Sequence, residues 1–233
     1  MLASILIHQI KNFFGGNQHV EECLAVDKIT NKLSVFSIFA FSTSGMHILL
    51  IDNYDSFTWN LHQLLVKAGV KNIVVVKNDM VIPQQIISAD AIVFSPGPGL
   101  PNEAGMMKET IRNYAGTKKM LGICLGHQAI AEVFGASLVQ ADKIFHGTAS
   151  PLHILEQTSI FSNVPENVLV GRYHSWVVDT YGFPKELLIT ATDHKGVIMA
   201  LRHKTMDITG VQFHPESILT PAGEKMMRNW MRY

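Results

Sequence analysis

Residues 46–233 predict an α/β fold: a doubly wound, mostly parallel central sheet with helices on both faces, plus a smaller strand-rich portion in the second half. Three observations carry this. From Met46 to Phe134, short apolar runs alternate with segments of helical period, the pattern of strand–helix–strand units. The early runs are apolar along their length, as strands buried on both faces are. In the second half the runs become short and closely spaced, and a helical period returns only at the C-terminal end.

The elements follow in order. The run 47–51, closed by Asp52, reads as a buried parallel strand. Residues 56–69 form a helix with Phe57, Leu61, Leu64, Leu65 and Ala68 on one face and Gly69 as its stop. Strands are expected at 73–76 and 91–94, then a helix over 105–115 with Met107, Ile111, Tyr114 and Ala115 inward. A strand at 120–123 runs directly into a helix over 126–134. Strand-like runs then occupy 152–155, 168–170, 176–178, 187–191, 197–201 and 208–213. A last helix carries Met226, Met227, Trp230 and Met231 at helical spacing, a core stripe rather than a cofactor box.

Composition narrows the function. A hydrophobic share of 47 % with 16 % charged residues fits a compact globular chain and argues against disorder. Nineteen basic and nineteen acidic residues cancel, without a Lys/Arg run to serve nucleic acid or an anionic membrane. Cys23 and Cys124 stand far apart in unlike contexts, so a reducing, cytoplasmic setting is expected rather than a disulfide framework. The apolar stretch 33–41 is interrupted by Ser34 and Ser37 and is too short to span a bilayer; it starts too late to be an export signal. Residues 1–45 are irregular and read as a non-catalytic extension, either upstream sequence translated from an early start codon or an extra helix packed on the domain.

The chemistry concentrates in two places. Gly122-Ile123-Cys124-Leu125-Gly126 is the cysteine form of the nucleophile elbow, and it sits between a strand and a helix, where that motif requires. A sharp turn would hold Cys124 exposed to substrate, the flanking glycines would remove colliding side chains, and the helix's positive end would favour thiolate. Taken alone, this motif leaves an inert buried cysteine equally plausible. The second place is His214-Pro215-Glu216, after the strand 208–213. Catalytic groups gather at the C-terminal edge of parallel strands, so His214 can meet Cys124 there. His214 would act as the base, and Glu216, projecting to the same side of an extended segment, would orient it. The other histidines, His62, His153, His194 and His203 among them, are read as surface or locally bonded groups, and no grouping has zinc-ligand spacing.

With these residues in view, the sequence from about Met46 onward resembles the class I (triad) glutamine amidotransferases, and within them the small subunits (component II) of anthranilate synthase and aminodeoxychorismate synthase. The motifs that carry the resemblance are Ile51 through Thr58, Ser95-Pro96-Gly97-Pro98-Gly99, Gly122 through Gln128, His146-Gly147, Arg172-Tyr173-His174-Ser175, and Gly210 through Leu219. The resemblance implies a flavodoxin-like sheet and a glutaminase that delivers ammonia to a chorismate-using synthase large subunit, in the tryptophan or folate pathway. It implies Cys124, His214 and Glu216 as the triad, and the backbone N–H groups of Gly99 and Leu125 as the oxyanion hole. Gly97, Pro98, Gly99, Leu125, Gln128, Ser175 and Trp176 would form the glutamine pocket, with Asp52 to Thr58 lying toward the partner. No cofactor or metal is implied in this chain; magnesium belongs with the partner. Two positions depart from the family pattern: Thr148 follows His-Gly where lysine is usual, and Trp176 replaces a common leucine. A γ-glutamyl peptidase or a catalytically silent regulatory module are the readings from other classes. The Arg172–Ser175 motif weighs against the first and the intact triad against the second.

Overall fold

The computed structural model describes residues 45–157 and 159–232. Cys23 and the extension up to residue 44 lie outside the described residues. The first half is a run of strand–helix units: β1 (His47–Asp52), α1 (Thr58–Ala68), β2 (Asn72–Lys77), α2 (Pro83–Ser88), β3 (Ala91–Phe94), α3 (Met107–Tyr114), β4 (Lys119–Ile123) and α4 (Leu125–Val133). The second half is β5 (Leu138–Gln140), β6 (Thr148–Pro151), β7 (His153–Ile154), β8 (Leu169–Arg172), β9 (Trp176–Val178), β10 (Leu187–Thr192), β11 (Ile198–His203), β12 (Ile208–Val211) and α5 (Gly223–Arg232).

The central sheet has eight strands in the order β2-β1-β3-β4-β12-β11-β10-β7. The first five are mutually parallel, while β12, β11, β10 and β7 pair antiparallel in turn. β12, the last strand in the chain, is therefore inserted between β4 and β11. Two antiparallel ribbons, β5–β9 and β6–β8, stand beside the sheet. The doubly wound architecture is as expected from the sequence.

Strand alternation sends successive side chains to opposite faces, and two cores result. On one face Ile48, Leu50, Val93, Leu121 and Ile123 pack with Leu61 and Leu65 of α1 and with Met226, Met227 and Trp230 of α5. On the other, Leu49, Ile51, Ile92 and Met120 pack with Ile86 of α2, Met107 and Ile111 of α3, and Ala129 and Ile130 of α4. The Met/Trp stripe of the last helix is thus core. Gly69 closes α1 at φ 112°, its N–H returned to the helix's last carbonyls.

Three details differ from the sequence reading. Phe57 does not sit on the buried face of α1: it is the residue before the helix, half-buried against aromatic rings of the second half. The strand expected over 208–213 ends at Val211, so Gln212 and Phe213 leave the ladder. The run 152–155 contributes only His153–Ile154 to a strand. The helix Pro83–Ser88, at six residues, is too short to show a helical period.

Candidate active site

β4 ends one residue before Cys124, and α4 begins one residue after it. Cys124 takes φ 51°, ψ −99°, a conformation that L side chains adopt only under constraint. The constraint comes from both neighbours: the Cys124 N–H donates to the Val211 carbonyl at 2.8 Å, and its carbonyl accepts the Gln128 N–H at 3.0 Å. The flanking glycines are required by contact. A Cβ on Gly122 would run into the Gly126 carbonyl group, and one on Gly126 would lie 2.7 Å from both the Cβ and the carbonyl oxygen of Phe94. As the first residue of α4, Leu125 has a backbone N–H with no acceptor inside the helix.

His214 follows β12 and is gripped through its backbone. Its N–H donates to the Gly171 carbonyl at 2.9 Å, and its carbonyl accepts the Thr220 hydroxyl at 2.6 Å. The ring Nδ1–H donates to Glu216 Oε1 at 2.7 Å, with the Glu216 side chain wholly buried. The pairing expected from the sequence is present, but a turn produces it rather than an extended segment: Ser217 N–H donates back to the His214 carbonyl at 3.2 Å. Tyr173 lies 4.8 Å and Phe57 5.4 Å from the imidazole, ring centre to ring centre. Burial pulls the His214 pKa down, but the Cys124 sulfur and the Glu216 carboxylate outweigh it and raise the value to about 10. Nε2, the nitrogen that faces this influence of Cys124, is buried and makes no close hydrogen bond among the described residues.

Cys124 opens on a cleft of about 220 Å³, room for one ligand of amino-acid size. Gly97, Pro98, Gly99, Gln128, Ser175 and Trp176 line it together with Ile144, Phe145, His146, Tyr173 and His174. Leu125 is the exception. Its side chain lies beneath the loop, where a Cβ on Gly97 would come within 2.7 Å of it, so only its backbone can serve the cleft. Gln128 is 3 % exposed rather than a surface amide: its Nε2 donates to the Trp176 carbonyl at 3.0 Å and to Gln212 Oε1 at 3.2 Å. Gln212 in turn directs its Nε2 to Cys124 Sγ at 3.6 Å. Sequence reasoning placed Gln212, Tyr173 and Phe57 in motifs or on a helix face but not among the residues of the site. The available signal was Gln212 itself, an amide within the apolar run 211–213 that leads to His214. Of the histidines read as bystanders, His153 and His194 are exposed and His203 accepts two local backbone N–H groups through Nδ1. His62 is half-buried against Trp59, with Nδ1 unpartnered among the described residues.

A cysteine in a strained strand–helix turn, beside an imidazole held by a buried carboxylate, is the arrangement of an activated thiol hydrolase or transferase. The family model "glutamine amidotransferase class-I" matches residues 49–232. The chain belongs to the class I glutamine amidotransferases. The amidotransferase is 46 % identical over 186 residues to an aminodeoxychorismate synthase component 2 of Klebsiella aerogenes, covering 79 % of this chain and 98 % of that one. It is 45 % identical over 194 residues to an anthranilate synthase component 2 of Pseudomonas aeruginosa, covering 79 % and 94 %. It is 44 % identical over 186 residues to a Bacillus subtilis protein named for both synthases, covering 79 % and 95 %. Among solved structures, a Thermoplasma acidophilum protein described as one subunit of a GMP synthase superposes with TM-score 0.73 at 27 % identity, over 81 % of this chain and 93 % of that one.

The two departures of this amidotransferase from the family pattern have plain structural settings. Thr148 opens β6 opposite Arg172, on the ribbon that ends at the cleft. Trp176 meets Gln128 through its backbone carbonyl and also lines the cleft. The segment from Asp52 is an internally bonded loop: Asp52 accepts the Thr58 hydroxyl at 2.9 Å and pairs with Lys77 at 2.6 Å. Among the described residues no helix is long and apolar enough to cross a membrane.

Proposed function

We propose that this amidotransferase hydrolyses L-glutamine at Cys124 and passes the ammonia to a separate chorismate-binding synthase, with the anthranilate synthase large subunit as the first partner to test. The observation that carries the reading is the His214–Glu216 pair, buried and turned on the strained Cys124 at the shared end of β4 and β12. The Cys124 sulfur attacks the side-chain carboxamide carbon of glutamine. The oxygen that becomes an anion is received by the N–H groups of Leu125 and Gly99. His214, held by Glu216, gives its Nε2 proton to the departing nitrogen, and ammonia leaves. The imidazole then takes a proton from water, which attacks the thioester and releases glutamate.

Trp176 sits at a position of the β5–β9 ribbon whose N–H and carbonyl both point away from β5, since the hydrogen-bonded neighbours are Ala141–Ser175 and Asp179–Ser137. With its carbonyl occupied by Gln128, the Trp176 N–H is left for the substrate carboxylate. Chorismate and magnesium belong to the partner. The loop 52–58 supports a docking role, since Tyr54 is exposed while Phe57, three residues on, touches His214. The Klebsiella relative's name favours the aminodeoxychorismate partner as a second reading.

The test mixes the chain with an anthranilate synthase large subunit, chorismate and magnesium, and follows anthranilate fluorescence. Glutamine-dependent product is expected, lost in Cys124→Ser while ammonia-dependent product persists. A large subunit that works with ammonia but never with glutamine and this chain refutes the anthranilate assignment; the aminodeoxychorismate partner is then substituted.

A further inference from the structure

Arg172 and His174 belong to a sequence motif that the reaction scheme above leaves without a task. Arg172 is 1 % exposed. Its Nη1 donates to Asp193 Oδ2 at 2.7 Å, and Asp193 is itself fixed by the backbone N–H groups of Lys195 and Val197 at 2.8 and 3.0 Å. The guanidinium lies 3.5 Å from the ring centre of Phe145, and Phe145 stacks on His174 at 5.0 Å. Arg172 Nε donates to His174 Nε2 at 3.2 Å.

An arginine can only donate, so His174 Nε2 must accept, and the ring's one proton sits on Nδ1. Burial and then the Arg172 charge hold His174 neutral, with its pKa lowered to about 3. Nδ1–H therefore points to the Trp176 carbonyl, 3.1 Å away. That carbonyl also receives Gln128, which meets Gln212, which meets the Cys124 sulfur. Arg172 fixes the His174 tautomer, and the Trp176 carbonyl, which can only accept, sets the amide orientation of Gln128 and through it that of Gln212.

We infer that Arg172 and His174 are positioning residues for glutamine: they lock the Trp176 peptide and Gln128 into the orientation that binds the amino-acid end of the substrate. The inference rests on the glutaminase reading above. Removing the Nδ1 donor frees the Trp176 carbonyl to turn, which acts on binding rather than on the sulfur chemistry. His174→Asn retains an amide N–H where Nδ1–H stood.

The experiment measures glutamate release against glutamine concentration for the full chain, alone and with its chorismate-binding partner, in wild type, Arg172→Met, His174→Ala and His174→Asn. Thermal unfolding of each variant is recorded alongside. Arg172→Met and His174→Ala are expected to raise KM about tenfold or more, the scale of one buried hydrogen bond with a charged group behind it, with kcat within about threefold of wild type. His174→Asn is expected to recover most of that KM. An unchanged KM in His174→Ala overturns the inference. So does a fall in kcat alone, or equal damage in Ala and Asn that follows lost thermal stability. A wild type that releases no glutamate in either setting refutes the glutaminase reading itself, a result separable from any ranking of the variants.

Discussion

The backbone at Cys124 can be tested apart from its chemistry. At φ 51°, ψ −99° a residue with a Cβ carries strain of roughly 1–3 kcal/mol, whereas glycine carries almost none. Comparing Cys124→Ala with Cys124→Gly removes the sulfur from both and leaves only the Cβ. At an unstrained site glycine would be the less stable by about 0.5–1 kcal/mol, because its unfolded chain has more freedom. Subtracting that from the strain leaves Cys124→Gly the more stable by up to about 2.5 kcal/mol. For a folded unit of this size each kcal/mol moves the midpoint by roughly 2–4 °C, so the glycine variant should melt a few degrees above the alanine variant by calorimetry. Neither should release glutamate. An alanine variant more stable by the full difference of an unstrained site, about 0.5–1 kcal/mol, would show that the elbow stores no strain, and the argument that the turn is held against its preference would fall.

Other expectations follow from burial and titration. His214 has a folded pKa raised to about 10. The stability it contributes is fully present below about pH 6.5 and is lost as pH rises toward 10. His127 and His174 are lowered to about 4 and about 3, chiefly by burial, so the unfolded chain takes up their protons first and stability falls as pH drops below about 6.5. Unfolding midpoints across pH should therefore peak near neutrality, with the alkaline decline smaller and complete at lower pH in Glu216→Gln; an unaltered alkaline limb in that variant contradicts the pairing. Gly126→Ala places a methyl 2.7 Å from the Phe94 backbone and Cβ, neither of which is a flexible side-chain end. A loss of about 1–3 kcal/mol or more is expected in urea unfolding, and a near-neutral result would mean that β3 and α4 separate easily.

The parts of the molecule legible in sequence are those where one physical signal dominates. β1, β3 and β4 are buried on both faces, and a run of apolar residues announces that directly. The elbow was legible because close contact at Gly122 and Gly126 admits only glycine. The ribbons were less so: Leu138–Gln140 and Thr148–Pro151 are short and mostly exposed, so neither period nor hydrophobicity marks them. Glu216 does lie against His214, but the extended segment expected from the sequence is not what brings it there, since its approach depends on a turn closed by Ser217. The Arg172–His174–Trp176 path was invisible. Its bonds join residues only two apart, but they depend on which ring nitrogen carries the proton and on burial of the side chains, which neither hydrophobic period nor spacing encodes.

The position of β12 has a consequence for how the protein is made. β4 carries the nucleophile, yet the neighbour on its far side is a strand that begins at residue 208. While the ribosome translates the intervening residues, β4 has one open edge, and the thiol has neither its imidazole nor the Val211 carbonyl that braces it. Such open edges are where growing chains pair wrongly. Inserting β12 closes the edge and brings His214 and the Val211 carbonyl to Cys124 in one event. A truncated product lacking that strand would leave β4 open to pairing with other chains and Cys124 without the carbonyl that braces it.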